Sequence, residues 1–219
     1  MPPLPARECP HEHAIARHRV RLRSRQPALA REGARDRRHT RAHRATDALV
    51  LPGVGAFTPA AERLGPGRAA MREALQRGLP CLGICLGMQL LFEHSDEGPG
   101  DGLGVLTGRV TRLQAARIPQ IGWNMLEPTA PRDPLLIASG LETVYYANSF
   151  VCRPSGESAR HVIAWTTHET DRFPAAVRVG NVVGVQFHPE KSSAAGVRFV
   201  RAFLTDAAAR SARSPEIPA

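Results

Sequence analysis

Apolar residues along this chain fall into two kinds of run. Short, dense runs suit strands: residues 47–51, 81–84, 108–113, 144–151 and 161–168, and the pair 175–179 and 182–187. Gly180-Asn181 between the last pair predicts a β-hairpin. Helical spacing falls elsewhere. Thr58-Pro59 predicts a helix start, with Thr58 as N-cap and proline at the first helical position. Gly65-Pro66-Gly67 interrupts that helix. Residues 68–77 form a second one, with Met71 and Leu75 on one face, and Gly78 ends it. Residues 193–209 predict a closing helix that buries Val197, Val200, Phe203 and Leu204. Residues 93–102 are a polar loop containing Gly and Pro, and residues 118–124 are too irregular for a regular element. Residues 1–45 show no sustained period of 2 or 3.6.

The densest chemistry lies where the strand 81–84 meets the residues after it. Gly83-Ile84-Cys85-Leu86-Gly87 is Gly-x-Cys-x-Gly, the thiol counterpart of a nucleophile elbow. The stretch reads as a buried strand, a sharp turn and a helix. That turn lifts the Cys85 sulfur above the sheet and sets it at a helix N-terminus, where free N–H groups favour thiolate. Taken alone, the stretch is equally a buried cysteine between two glycines in a packed core.

A second stretch changes that balance. Gly184-Val185-Gln186-Phe187-His188-Pro189-Glu190 ends a strand at Phe187 and puts His188 and Glu190 on its carboxyl side. A thiol nucleophile needs a base within hydrogen-bond reach, and the base needs an orienting group. His188 and Glu190 can supply the two. In an open α/β sheet, sites are built at the carboxyl ends of the strands.

Together the two stretches resemble class I (triad) glutamine amidotransferases, over residues 46–204. Within that family, Leu51-Pro52-Gly53-Val54-Gly55-Ala56-Phe57, Ile121-Gly122-Trp123-Asn124 and Lys191-Ser192 look like the glutaminase subunits of imidazole glycerol phosphate synthases. The resemblance implies an α/β fold: an open, mostly parallel sheet flanked by helices, with a nucleophile elbow. It implies Cys85 as nucleophile, His188 as base and Glu190 as its orienting group. It implies an oxyanion hole built from the loop Gly53-Val54-Gly55 and the N–H of Leu86, where each donor is typically worth ~10²–10³ in rate. Gln89 would orient the substrate glutamine, and Ser149 and Phe150 would edge its pocket. Asn148 stands where the family usually has His. Trp123 and Lys191 would face a (β/α)₈ cyclase subunit that receives the ammonia. No metal or organic cofactor is implied. Other amidotransferases of the class, and a defective chain that only binds the cyclase, remain open alternatives.

Length and composition narrow the setting. A chain of 219 residues suits one α/β domain. No run is apolar enough to span a membrane, and no signal-peptide core is present. Four scattered cysteines suit a reducing cytoplasm. The net charge of +9 comes almost wholly from residues 1–45, which hold 12 arginines against four acidic residues. The remainder offers no electrostatic reason to bind nucleic acid.

Three readings of that head compete: a basic arm for nucleic acid or an acidic partner, a targeting peptide, and a segment translated out of frame. Glu8, Glu12, Glu32 and Asp36 disfavour the targeting peptide. For the third, Arg21-Leu22-Arg23-Ser24-Arg25-Gln26-Pro27-Ala28-Leu29, back-translated and shifted by one base, permits Asp-Tyr-Gly-Pro-Gly-Asn-Leu-Arg-Ser. That is the loop type with which the family follows its first strand. Arginine dominance over lysine suggests GC-rich coding, in which shifted frames read as Arg, Pro and Ala. The expected layout is a head at 1–45, an amidotransferase domain at 46–210 and a tail at 211–219.

Overall fold

The computed structural model describes residues 48–211. The expectations for the head and for the tail after residue 211 lie outside the described residues. In chain order the elements are β1 (Leu49–Leu51), α1 (Phe57–Leu64), α2 (Arg68–Gln76), β2 (Cys81–Ile84), α3 (Leu86–Gln89), β3 (His94–Ser95), β4 (Gly108–Arg112) and β5 (Gln120–Met125). They continue with β6 (Glu127–Pro128), α4 (Pro134–Ser139), β7 (Thr143–Asn148), β8 (Phe150–Pro154), β9 (Val162–His168), β10 (Asp171–Val179), β11 (Val182–Val185) and α5 (Ser193–Ser211).

A six-stranded sheet in the order β1-β2-β11-β10-β9-β6 organises the fold. The pairs β1/β2 and β2/β11 are parallel, whereas β11/β10, β10/β9 and β9/β6 are antiparallel. Among the described residues the sheet is therefore mixed rather than mostly parallel. Its parallel part carries the elbow. Tight hairpins make β9/β10 and β10/β11 antiparallel, the latter through the two-residue turn Gly180-Asn181 with Gly180 at φ +56°.

Side chains alternate across this sheet and feed two apolar layers. Cys81, Val177 and Val182 join Phe57, Leu64, Leu75, Met88, Leu91 and Phe92 on one side. Their neighbours Leu82, Ala176 and Val183 join Tyr146, Phe173, Phe187, Phe199 and Phe203 on the other. Coverage of both faces explains why β2 and β11 are continuously apolar. Enclosing each of these Phe side chains is worth roughly 1.5–3 kcal/mol.

Several local expectations are corrected. Residues 118–124 are not irregular: Gln120–Met125 pairs antiparallel with β7 as a regular strand. Pro119 and Gly122, the latter at φ +131°, mask its alternation in the sequence. Residues 144–151 are two strands, parted at Ser149. Thr58 does not cap α1, which begins at Phe57; its hydroxyl donates instead to the Pro99 carbonyl at 2.8 Å. Helix α5 buries Phe199, Phe203 and Ala207, while Val197 is 44% exposed. Val200 and Leu204 pack against the same core as Phe203, so of the four expected residues only Val197 falls outside the buried face, and Phe199 stands in its place. Helix α4 follows the rules closely: the Asp133 side chain accepts the Leu135 N–H at 2.8 Å, Pro134 opens the first turn, and Gly140 ends it at φ +62°.

Candidate active site

Strand β2 delivers Cys85 into a strained turn at φ +50°, ψ −106°. That conformation costs on the order of 1–3 kcal/mol in a residue carrying a Cβ. Backbone crowding holds it there. A Cβ on Gly87 would sit 2.0 Å from the Leu51 carbonyl oxygen. Only glycine lets β1 press so closely on the elbow. The helix that follows is a single turn, Leu86–Gln89, shorter than the pattern through Phe92 suggests. Its dipole is correspondingly small.

The loop at residues 52–55 lies directly against this turn. A Cβ on Gly53 would fall 2.0 Å from the Ile84 oxygen and 2.4 Å from the Leu86 nitrogen. Leu86 opens α3, so its N–H has no acceptor within the helix. Gly55 adopts φ +120°, and Val54 points its side chain to solvent at 71% exposure. Gly53, Val54, Gly55 and Leu86 are thus gathered around the nucleophile turn.

Strand β11 runs parallel to β2 with Ile84 opposite Val185, so Cys85 and Gln186 leave adjacent strand ends. The Cys85 N–H donates to the Val185 carbonyl at 2.7 Å. Two residues further, His188 is clamped by β7. Its N–H donates to the Tyr145 carbonyl at 2.8 Å, and its own carbonyl accepts the Ser192 hydroxyl at 2.6 Å. The Ser192 Oγ in turn accepts the Tyr145 N–H at 3.0 Å.

His188 Nδ1 lies 2.7 Å from Glu190 Oε1. A carboxylate there fixes the proton on Nδ1 and leaves Nε2 for the thiol side. Burial alone would lower the His188 pKa. Hydrogen bonds to Cys85 and Glu190, together with their charges, outweigh it and raise the value to about 9. Partial burial pushes Glu190 upward, but the His188 hydrogen bond leads the contacts that hold its carboxyl below the usual carboxylate range.

Gln89 is buried and turned inward. Its Nε2 donates to the Phe150 carbonyl at 3.1 Å and to Gln186 Oε1 at 3.3 Å. Asn148 donates to the same Phe150 carbonyl at 3.2 Å. Half-buried Ser149 accepts the Leu113 N–H at 2.9 Å. The Phe150 carbonyl thus lies within reach of Gln89 on the elbow helix, and Ser149 precedes it at the start of β8.

On the neighbouring small sheet, alternate residues of β5 face outward. Ile121, Trp123 and Met125 are 67%, 55% and 65% exposed. Trp123 meets Tyr145 edge-on at 6.1 Å between centroids, and Lys191 Nζ stands 5.6 Å from the Tyr145 ring centre. Trp123 and Lys191 thus share one surface through Tyr145, which lies three residues upstream of Asn148 on β7.

The family model "Glutamine amidotransferase class-I" matches residues 13–207. This chain belongs to the class-I glutamine amidotransferase family. The matched range begins inside the basic head. Among similar proteins of that family, the imidazole glycerol phosphate synthase subunit HisH of Synechococcus sp. is 42% identical over 173 residues, covering 76% of this chain and 79% of the relative. The subunit of the same name from Symbiobacterium thermophilum is 47% identical over 159 residues, 70% of this chain and 73% of the relative. A solved glutamine amidotransferase superposes with a TM-score of 0.54 at 27% identity, covering 74% of this chain and 80% of that one. PurLQS from Thermotoga maritima shares the fold at a TM-score of 0.54 and 20% identity, with the same coverage of both chains.

Sequence reasoning missed three participants in this amidotransferase site: Gln186, Tyr145 and Ser192. Tyr145 acts through its backbone and ring with no mark in the sequence, whereas Ser192 lay in the Lys191-Ser192 match but without a role, which its hydroxyl takes between His188 and Tyr145. Gln186 did carry a signal, since it is the one polar side chain in the apolar run 182–187.

Proposed function

We propose that this chain is the glutaminase subunit of an imidazole glycerol phosphate synthase, hydrolysing glutamine to glutamate and ammonia for histidine biosynthesis. The observation that carries the reading is the convergence of an elbow cysteine, a buried histidine and its carboxylate at the carboxyl ends of two parallel strands. Relatives that bear the synthase-subunit name at 42–47% identity support the particular activity.

The Cys85 thiolate attacks the side-chain amide carbon of glutamine. The carbonyl electrons move onto oxygen, which the N–H of Leu86 and the Gly53-Val54-Gly55 loop receive. His188, held by Glu190, gives its proton to the departing nitrogen, and ammonia leaves as the C–N bond breaks. The product is a γ-glutamyl thioester. His188, now neutral, takes a proton from water as the water attacks, and glutamate departs with Cys85 restored. Ser149 and Phe150 line the side of the pocket, and Gln89 backs it.

The ammonia passes to a cyclase subunit in a cytoplasmic heterodimer. The supporting feature is the exposed apolar row Ile121, Trp123 and Met125, with Lys191 at its edge. An apolar row of this kind on a sheet face suits a partner protein. Residues 46–210 form the amidotransferase domain, and residues 1–45 as written are an out-of-frame product of the coding sequence.

The test is ammonia production from glutamine with and without an imidazole glycerol phosphate synthase cyclase subunit. Activity stimulated by the cyclase and abolished in Cys85→Ala is expected. Activity that survives Cys85→Ala removes the thiol mechanism. Ammonia delivery to a different acceptor, and none to the cyclase, removes the synthase assignment.

A further inference from the structure

We infer that Gln186 holds the Cys85 thiolate, aimed at the sulfur by Gln89 through a buried amide relay; this rests on the glutaminase reading above. Gln186 is wholly buried, and its Nε2 lies 3.4 Å from Cys85 Sγ. The parallel register of β2 and β11 puts the two residues one step beyond the Ile84–Val185 pair, so the backbone itself sets the approach.

The direction of the relay is forced by its far end. The Phe150 carbonyl can only accept, so the Gln89 amide must turn its NH₂ towards it. That same NH₂ then donates to Gln186 Oε1. With its oxygen so engaged, Gln186 presents its own NH₂ to the sulfur. Flipping the Gln186 amide would face two NH₂ groups across 3.3 Å and set an oxygen against the sulfur lone pairs. A donor aimed at sulfur favours the charged form over the thiol. It also favours the thiolate as leaving group when water cleaves the thioester.

Three titratable groups surround the sulfur. His188 hydrogen-bonds it, with Glu190 behind the ring. Cys152 lies close enough to interact, and its complete burial pushes its thiol well above the ordinary value, so it stays neutral. Gln186 is therefore the uncharged donor of the set. It strengthens the thiolate without the pH dependence that His188 brings.

The test follows iodoacetamide alkylation of Cys85 against pH in the full chain, read by mass spectrometry on the Cys85 peptide. It needs neither glutamine nor the cyclase. Gln186→Leu is expected to move the alkylation midpoint up by about one pH unit, a tenfold loss of thiolate below the midpoint. Gln186→Glu, close to isosteric, should move it further by setting a carboxylate against the sulfur. Gln89→Leu should produce a smaller upward shift, because Gln186 is no longer aimed. Unchanged midpoints in Gln186→Leu and Gln186→Glu overturn the inference even if the chain hydrolyses glutamine. A Gln186-dependent midpoint in a chain that never hydrolyses glutamine overturns the glutaminase reading and leaves the thiolate contact standing.

Discussion

His188 and Glu190 stand two residues apart in sequence and 2.7 Å apart between Nδ1 and Oε1, the imidazole enclosed and the carboxylate half open to solvent. Burial pulls His188 down, but hydrogen bonds to Cys85 and Glu190, with their charges, raise it to about 9. The imidazolium is therefore full at neutral pH and loses its proton as pH rises through about 9. Glutaminase kcat/KM should fall above that value, where no proton remains for the departing ammonia. Glu190→Gln removes one of the two charges that raise His188, so the alkaline limb should shift to lower pH. The neutral rate should drop by about 10²-fold. A pH–rate profile with the cyclase present measures both, and an unmoved alkaline limb would reject the role of Glu190.

Crowding at the elbow predicts an asymmetric response to added methyl groups. Gly87→Ala drives a Cβ to 2.0 Å from the Leu51 carbonyl oxygen, a backbone atom that cannot swing aside. The loss of unfolding free energy should be about 3 kcal/mol or more. Gly65→Ala meets nothing within 4 Å and should be neutral or slightly stabilising. Urea unfolding of the two variants makes the comparison, and equal midpoints would contradict the packing described.

The outer row of β5 predicts a separable binding defect. Trp123→Ala removes the largest exposed side chain of that surface while leaving the core intact. A tenfold or greater rise in Kd for the cyclase is expected, in the range of an aromatic hot spot of about 2 kcal/mol. Thermal stability of the isolated chain should hardly change. Calorimetric titration that gives the parent Kd would move the interface elsewhere.

A second, purely structural relay ties α4 to α5. Arg178 donates to Asp133 Oδ1 at 3.2 Å and also pairs with Asp206, and Asp133 is the N-cap of α4. Both Arg178 and Asp133 are nearly enclosed. Arg178→Leu leaves a buried carboxylate without its cation and should cost about 3–5 kcal/mol. Glutamine hydrolysis by the folded fraction should persist. Denaturation that shows less than about 1 kcal/mol lost would mean that the cap alone satisfies Asp133.

The coding DNA gives the most direct check on residues 1–45. Reading from the start to the codon for Thr46 should reveal one missing or extra base, whose correction opens the Asp-Tyr-Gly-x-Gly-Asn-Leu-Arg-Ser loop. Codons around Arg21 to Leu29 that cannot encode that loop in the shifted frame would retire the frameshift. A continuous, confirmed frame would make the Arg-rich head a genuine part of the protein.

The elbow, the base pair and the hairpin before them were readable from sequence because each is a local device. Gly-x-Cys-x-Gly states its turn within five residues, His188 and Glu190 lie two apart, and Gly180-Asn181 sets its hairpin with two residues. What the sequence could not decide was anything set by long-range pairing. Strand β5 hid behind Pro119 and Gly122 until β7 paired with it. Val200, Phe203 and Leu204 of α5 were readable, but the edge of that buried face depended on how the helix met α4 and the sheet, and that favoured Phe199 over Val197. Gln186 acquired its meaning only when β11 lay parallel to β2, in a register that carries an amide to a sulfur 101 residues away in the chain. Local backbone preferences are written residue by residue, whereas strand register and helix phase are settled by the packing of the whole sheet.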